Sequence, residues 1–316
     1  MVRSETNPDS AVFFQSLIEK YGGNVFTVNA FTEVRSDDGT NSKSKWLKNI
    51  GTAFSFGNNG HLITFKTVIK NSEKVTVISS KGIKSKAQVI GCDNSGKINV
   101  LKLENFTDFP STEVKHCKNT HIGEEVFLLG INGSELTVTQ GIIREIRSAD
   151  GTLIVSIDSN PGTSGTPVFD KNINLLGFLV YQVENNPNVQ NQPEQQTGLY
   201  LVVTSEFACT ASKLIINKAE GKSGWIGIAS SIQSFGNTEN NGVIIQNIIK
   251  NSPAEKSGLV KNDRIIMFND VKITSFTELV EALSETKVGE IVHIQYVRDG
   301  KTLSSGITLS SYPENQ

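Results

Sequence analysis

The chain has 316 residues, with 30 Lys and Arg residues set against 32 Asp and Glu residues. This length exceeds what one ordinary hydrophobic core organises, so two domains are expected. The near-neutral charge balance argues against a nucleic-acid-binding protein. The three cysteines are too few and too scattered for a disulfide framework. No apolar run is long enough to span a bilayer.

Metal and targeting signals are weak. His116, Cys117 and His121 lie close together in the sequence, but their spacing fits no zinc template and no carboxylates cluster near them. We therefore expect neither a metal site nor another cofactor. The first residues are polar and carry no signal peptide, so we expect either a cytosolic chain or a mature form that has lost its leader.

The first predicted element is a short amphipathic helix over residues 11–20, which the paired glycines Gly22 and Gly23 end. Its apolar side chains share one face and include the adjacent Phe13 and Phe14. Two neighbouring phenylalanines on such a short helix are not expected to point into the same core. One of them is therefore predicted to be available for an interface.

The next part of the chain is predicted to be all β. Short segments rich in Val, Ile, Thr and Phe alternate with Gly, Asn and Asp turns. Many short strands without long helices between them indicate a sandwich or a barrel. The polar residues 32–49 and the Asn/Gln/Pro-rich residues 184–198 are expected to be exposed loops. The predicted strands cover residues 24–31, 51–56, 61–64, 74–79, 86–90, 100–103, 125–130, 135–147 and 199–204.

The pattern changes in the last third of the chain. Residues 212–224 carry charge and glycine, and they are predicted to end the first domain and form a linker. Beyond them, Ser252 and Ser275 each begin a capping box before a short helix. Asp299 and Gly300 predict a hairpin turn between two strands.

This last third resembles a PDZ domain. The run from Ser252 to Asn269 is similar to the signature S-P-A-x-x-A-G-L-x-x-G-D-x-I-x-x-x-N. The residues W-I-G-I at 225–228 resemble the carboxylate-binding loop of HtrA-type PDZ domains. The resemblance covers residues 225–309 and implies an α+β fold. The polar segment 230–241 departs from it, because many relatives carry an extra helix there.

The resemblance also implies a peptide-binding site. An extended C-terminus would add beside the strand that starts at Ile228. The peptide-binding residues implied are the loop residues and two side chains of the second helix, which would line the side-chain pocket: Trp225, Ile226, Gly227, Ile228, Leu279 and Leu283. Backbone N–H groups of Ile226, Gly227 and Ile228 would hold the terminal carboxylate.

A Gly-rich turn with the sequence N-P-G-T-S-G-T-P-V spans residues 160–168 between two strand-like segments. A serine in such a turn can present its hydroxyl beside backbone N–H donors, which is the geometry that acyl transfer needs. Without its flanking residues, the G-x-S-G pattern would indicate only a tight turn.

The whole turn resembles the nucleophile loop of chymotrypsin-like serine proteases, especially the HtrA/Deg family, in which it is N-P-G-N-S-G-G-P. The resemblance implies a mainly β fold, a chymotrypsin-like double six-stranded β-barrel. It places Ser164 at the nucleophile position, with the N–H groups of Gly162 and Ser164 as the oxyanion hole. Thr163 is a mild departure, and Thr166 adds a β-branched side chain where the family has glycine.

Only the nucleophile of the triad matches. The family's His loop, I-x-T-N-x-H-V-[IV], aligns with I-T-F-K-T-V-I and puts Thr67 at the His position. The Asp loop, G-x-D-x-x-x-D-L-A-V-L-K, aligns with G-C-D-N-S-G-K-I-N-V-L-K and puts Lys97 at the Asp position. A serine hydroxyl is a poor nucleophile without a base, Thr67 is not basic, and a solvated Lys97 is protonated. The other histidines match nothing in the pattern: His61, His116, His121 and His293.

Two functions follow. The first is an HtrA-like pseudoprotease that serves as a peptide-binding or protein-binding scaffold or regulator. The alternative is an active serine endopeptidase in which Lys97, desolvated in the space left by the small Thr67, serves as the base for Ser164.

The predicted organisation has four parts: an N-terminal segment (1–21), a trypsin-like peptidase domain (22–211), the linker (212–224) and a PDZ domain (225–312). The implied partners are protein C-termini or unfolded peptides, and the implied assembly is a homotrimer or a hetero-oligomer with a catalytic paralogue. Family resemblance implies a periplasmic or other extracytoplasmic location, compatible with a membrane anchor removed from the N-terminus. No nucleic-acid partner is expected.

Overall fold

The computed structural model describes residues 8–37, 42–57, 59–93, 97–104, 120–147, 151–180, 198–229 and 242–311. His116, Cys117, nearly all of the predicted loop 184–198 and the polar segment 230–241 lie outside these ranges. The chain separates into two compact units. The first contains residues 1–89, 101–146 and 153–205, and the second contains residues 90–100, 147–152 and 206–316. Within the described ranges, no helix has the length and apolar character needed to cross a membrane.

Two closed six-stranded β-barrels form the trypsin-like part and confirm the predicted fold class. The first barrel has the order β1-β2-β3-β6-β5-β4. Its strands are β1 (Val25–Asp37), β2 (Ser42–Phe56), β3 (His61–Phe65), β4 (Lys74–Ser79), β5 (Lys84–Cys92) and β6 (Ile98–Leu103). A short helix, α2 (Lys66–Ile69), follows β3.

The second barrel repeats the connectivity of the first, because its closed order is β7-β8-β9-β12-β11-β10. Its strands are β7 (Glu125–Asn132), β8 (Glu135–Arg147), β9 (Thr152–Ser156), β10 (Pro167–Phe169), β11 (Leu175–Val180) and β12 (Leu199–Thr204). Each barrel encloses its own cluster of buried aliphatic side chains. Alternation of inward apolar and outward polar residues along the strands explains these cores.

Residues 32–49, predicted as an exposed loop, are instead mostly strand. They prolong β1 and β2 into a two-stranded ribbon in which Phe31 pairs with Lys48 and Asp37 with Ser42. Residues 45–50 are all exposed. Because neither face of this outer part of the ribbon packs on a core, its sequence shows no apolar alternation, and composition alone suggests a loop.

The N-terminal helix, α1 (Pro8–Tyr21), is present and begins three residues earlier than predicted. Its two adjacent phenylalanines both contact the same ring of the second barrel. The ring centroid of Phe127 lies 4.3 Å from that of Phe13 and 6.1 Å from that of Phe14. The two rings thus share one contact, contrary to the expectation that they do not point into the same core. Phe127 itself is buried, and both rings remain half-exposed.

The second unit contains helix α3 (Ser205–Ala219), except for its first residue, and the C-terminal sheets. Residues 212–219, predicted as the start of a linker, thus belong to a helix. The remaining elements are β13 (Ile228–Ala229), β14 (Val243–Ile244), β15 (Asn247–Ile248), α4 (Pro253–Lys256), β16 (Arg264–Phe268), β17 (Val271–Lys272), α5 (Phe276–Ser284), β18 (Ile291–Arg298) and β19 (Lys301–Thr308). One sheet has the order β14-β16-β18-β19, with β17 paired to β16, and β13 pairs with β15.

Local chemistry accounts for this PDZ-like arrangement. The Ser275 hydroxyl accepts the Glu278 N–H, and the Glu278 carboxylate accepts the Ser275 N–H, so the predicted capping box is complete. Asp299 and Gly300 have φ values of 50° and 75°, as a two-residue hairpin turn between β18 and β19 requires. The side chain of Asp263, fully buried, is held by two 2.7 Å hydrogen bonds from the Arg298 guanidinium.

Gly165 marks a close contact between the two barrels. Its φ is 97°, and a Cβ there would lie 2.0 Å from the Thr52 carbonyl oxygen. We predict that Gly165→Ala lowers the free energy of unfolding by about 1–2 kcal/mol for the left-handed backbone. Displacing Thr52 should add about 1–3 kcal/mol, the usual cost of overpacking. Urea unfolding of the full chain measures the loss.

Gly133→Ala is the matched control, because Gly133 also has a positive φ of 62° but no atom lies within 4 Å of its added Cβ. It should show the backbone cost alone. Equal losses in the two variants would contradict the close contact at Gly165.

Candidate active site and peptide-binding cleft

The nucleophile loop connects β9 to β10 and holds Ser164 almost fully buried, at 6% exposure. Two glycines shape the loop: Gly162 and Gly165 have φ values of 90° and 97°, which only glycine adopts without strain. The Gly165 N–H donates to the Leu179 carbonyl at 2.8 Å and anchors the loop to β11. The Gly-rich sequence is thus required by the backbone path.

Thr52 on β2 forms hydrogen bonds both with this loop and with β3, the strand that precedes Thr67. Its N–H donates to the Ser164 carbonyl at 2.9 Å, and its hydroxyl lies 2.8 Å from that of Thr163. On the other side, the Thr64 hydroxyl donates to the Thr52 carbonyl at 3.0 Å. Thr64 lies on β3, three residues before Thr67. The buried Thr52 therefore connects the loop that contains Ser164 with the strand that leads to Thr67.

Thr166 closes the loop from inside, with its side chain fully buried. Its hydroxyl donates to the Thr163 carbonyl at 2.8 Å and accepts the Thr163 N–H at 3.2 Å. A Cβ at Gly162 would lie 2.6 Å from this hydroxyl oxygen. The threonine that replaces the family's glycine therefore fills the loop and fixes its turn.

One of the two expected oxyanion donors is already engaged. The Gly162 N–H donates to the side-chain carbonyl of Asn160 at 3.0 Å. An oxyanion hole requires donors aimed at the developing charge. The Asn160 contact must therefore break before Gly162 can serve in that role.

Thr67 and Lys97 occupy different surroundings. Thr67 is exposed on α2, and its carbonyl oxygen accepts the side-chain amide of Asn49 at 2.7 Å. Lys97 is half-buried just before β6. The Asp93 carboxylate accepts the N–H of Ile98, the residue after Lys97, at 2.7 Å.

The described histidines are His61, His121 and His293. His61 begins β3, with its ring centroid 6.4 Å from that of Phe56. The strand from His61 to Phe65 covers about 13 Å. His121 is exposed and pairs with Glu124 at 3.1 Å, and the His121 N–H lowers the pKa of the Glu124 carboxyl. His293 is exposed on β18.

The PDZ-like part contains an apolar cleft with a volume of about 620 Å³, including the space at its mouth that is open to solvent. It brings together three of the four predicted loop residues and one predicted helix residue: Trp225, Ile226, Gly227 and Leu283. Helix α5 also contributes Phe276 and Val280. Leu279, also predicted to line the pocket, is 1% exposed and packs in the hydrophobic core cluster that includes Leu283.

The register of β13 leaves one strand edge open. Ile228 pairs with Ile248, and the Ile249 N–H donates to the Gly227 carbonyl at 2.9 Å. Hydrogen bonding alternates along an antiparallel strand, so the backbone N–H and C=O of Ile228 point away from β15. Among the described strands, β13 pairs with β15 alone.

Sequence reasoning missed the contribution of helix α3 to this cleft. Phe207, Ala211, Leu214, Ile215 and Lys218 line it. Their spacing of four, three, one and three residues is that of one helical face. This signal was present in the sequence, but the predicted domain boundary at residue 211 divided it.

Comparisons with known proteins agree with both parts of the fold. The family model described as a trypsin-like peptidase domain matches residues 51–178, and the model of the PDZ domain matches residues 224–309. The serine endoprotease DegS of Haemophilus influenzae is 26% identical over 281 residues, which are 85% of this chain and 79% of DegS. A probable periplasmic serine endoprotease, DegP-like, of Marinomonas sp. is 25% identical over 279 residues. That match covers 84% of this chain but 58% of the relative's length.

Solved structures show the same fold. The HtrA-type protease AlgW, solved with a decapeptide, has a TM-score of 0.63 at 19% identity and covers 95% of this chain and 99% of its own. The serine endoprotease of Yersinia pestis has a TM-score of 0.59 at 22% identity, with 95% and 98% covered. The chain is therefore a homologue of the HtrA proteases DegS and DegP, with a trypsin-like peptidase domain followed by a PDZ domain.

Proposed function

We propose that this protein binds the C-terminal ends of extended or unfolded chains through its PDZ domain and does not cleave them. The observation that carries the proposal is the outer edge of β13, where the backbone of Ile228 is directed away from β15, beside an apolar cleft. In this role the protein is a scaffold or regulator. The solved complex of the structurally similar AlgW with a decapeptide supports peptide binding by this fold.

Capture would use backbone and side-chain contacts together. A peptide strand adds to the open edge at Ile228, its terminal carboxylate accepts N–H groups of the 226–228 loop, and its last side chain enters the cleft. Hydrogen bonds to a charged acceptor are stronger than neutral ones. The cleft wall formed by Phe276, Val280 and Leu283 favours an apolar last residue.

The absence of cleavage follows from the missing base. Ser164 is retained, but the aligned His position is the exposed Thr67, whose hydroxyl does not accept a proton near neutral pH. The engaged Gly162 N–H also weakens stabilisation of an oxyanion. Both features point in the same direction, and each concerns a different step of acyl transfer.

A serine endopeptidase with Lys97 as its base is the second candidate. The retention of Ser164 in an ordered Gly-rich loop, and the partial burial of Lys97, favour it. This mechanism requires a neutral amine, because a protonated lysine cannot take the serine proton. The first experiment below separates the two candidates.

Location and assembly are also proposals. The DegP-like relatives are named as probable periplasmic proteins, so we propose an extracytoplasmic location for this chain. We propose a homotrimer, or a hetero-oligomer with a catalytic paralogue, formed through helix α1. On this helix Val12 is 67% exposed and the rings of Phe13 and Phe14 are half-exposed.

The first prediction is that the purified full chain does not digest unfolded casein and that a fluorophosphonate does not label Ser164. Loss of the general base typically reduces kcat by about 10⁴-fold or more. Mass spectrometry of the labelled protein, with trypsin as the positive control and Ser164→Ala as the blank, measures the outcome. Labelling at Ser164 that disappears in Lys97→Ala would contradict the predicted lack of catalytic activity and support the Ser–Lys mechanism.

The second prediction concerns peptide capture by the full chain. A ten-residue peptide with an apolar last residue and a free carboxylate should bind with micromolar affinity, or about −8 kcal/mol. Its C-terminal amide should bind much more weakly, since the loop donors lose their anion. Isothermal titration measures both. Equal affinities for the acid and the amide would rule out this binding mode.

The third prediction concerns assembly. Light scattering should give a trimer at tens of micromolar, and the double variant Phe13→Ala/Phe14→Ala should lower the mass because aromatic side chains contribute strongly to interfaces. Gln15→Ala is the control, since Gln15 is exposed on the same helix and bonds only to Glu19 within the described residues. A monomeric full chain would refute the trimer, and a trimer that survives the double variant would place the interface elsewhere.

A further inference from the structure

Helix α3 runs alongside α5 over the whole length of the cleft. Near their N-termini, the ring centroids of Phe207 and Phe276 lie 5.8 Å apart. At their C-termini, the Asn217 side-chain amide donates to the Ser284 carbonyl at 3.2 Å. The two contacts are ten and eight residues apart along their helices, so the helices run parallel.

This helix is a fixed part of the second unit. Leu214 packs against the hydrophobic core of the PDZ domain. Ala211 and Ile215 are 2% and 3% exposed, although both line the cleft. The Asn217 carbonyl accepts the Lys222 N–H at 2.7 Å, which ties the end of the helix to the segment leading into the 225–228 loop.

Lys218 places a positive charge near the C-terminal end of the α3 face that lines the cleft. It lines the same cleft as Trp225, Ile226 and Gly227, and it is the residue next to Asn217. Partial burial lowers the pKa of its ammonium group by desolvation. The other ionisable groups that line the cleft are Cys92 and Asp93, and the Asp93 carboxylate accepts the Ile98 N–H. A partly desolvated cation attracts a carboxylate more strongly than a fully hydrated one.

We propose that helix α3 is part of the peptide-binding site, with its apolar face as a second wall for the last side chain and the Lys218 ammonium as a partner of the terminal carboxylate. The inference rests on the proposed peptide capture and extends it to a residue outside the PDZ signature. It defines the ligand class as a free C-terminus that ends in a large apolar residue.

The size preference follows from the lining. Both helices line the cleft, α3 with Ala211 and the half-buried Leu214, and α5 with Phe276, Val280 and Leu283. The fully buried ring of Phe207 packs against Phe276 and supports this lining. A terminal side chain in the cleft therefore contacts both helices. A Leu or Phe side chain removes much more apolar area from water than an alanine side chain when it is buried. A groove with only the α5 wall would discriminate less between them.

The test is isothermal titration of the full chain with one ten-residue peptide that ends in phenylalanine, as the free acid and as the amide. Lys218→Ala should weaken binding of the free acid about tenfold and leave binding of the amide unchanged, because only the acid carries the partner charge. Lys218→Arg should restore most of the affinity for the acid. This pattern of acid against amide would not arise from a merely structural role.

Lys222→Ala is the matched control. It removes the same charge four residues away, from a lysine whose side chain is 70% exposed and pairs with Glu220. It should leave both affinities unchanged. Equal losses in the two lysine variants would overturn the proposal, because they would indicate a general effect of charge.

The wall is tested with Phe207→Ala and with a second peptide that ends in alanine. Loss of the ring should weaken binding of the phenylalanine peptide more than that of the alanine peptide. Tighter binding by Phe207→Ala would overturn the proposal, since the helix would then be a lid over the groove.

The outcomes distinguish a failure of this inference from a failure of the proposed peptide capture. If the wild-type chain does not distinguish the acid from the amide, peptide capture itself fails and the role of Lys218 fails with it. If it distinguishes them and Lys218→Ala behaves as the wild type, capture stands and the role of Lys218 is overturned.

Discussion

The 2.9 Å hydrogen bond from the Thr52 N–H to the Ser164 carbonyl holds the first barrel against the nucleophile loop of the second. Its geometry requires Gly165, because any Cβ there would collide with the Thr52 carbonyl oxygen. The same carbonyl accepts the Thr64 hydroxyl, so the path continues toward α2. Buried polar groups are costly unless paired, and here the Thr52 N–H is paired across the barrel boundary while the Thr52 carbonyl is paired within the first barrel.

This contact helps to hold the shape of the loop that contains Ser164. Hydroxyl groups of Thr52, Thr163 and Thr166 form short contacts around the loop, with Thr166 bonded to both the N–H and the carbonyl of Thr163. All of these contacts join uncharged hydroxyl and backbone groups. These contacts hold the backbone around Ser164 through residues outside α2, the helix that carries Thr67.

Local chemistry was predicted well from the sequence, and long-range packing was not. The Ser275 capping box and the Asp299–Gly300 turn depend on neighbouring residues, and both are present. The ribbon formed from residues 32–49 depends on pairing between exposed strands, which leaves no apolar alternation. Phe13 and Phe14 were misjudged because their shared partner, Phe127, lies more than a hundred residues away in the sequence.

Helix α3 shows how the predicted linker boundary concealed residues that line the cleft. A linker is expected to be mobile and outside any site, but Ser205–Ala219 is a helix whose residue Leu214 packs into the PDZ core. The PDZ resemblance covers residues 225–309, which include the 225–228 loop and α5 but not α3. The remaining wall of the cleft comes from a segment that precedes the signature, so its ligand preference cannot be deduced from the signature alone.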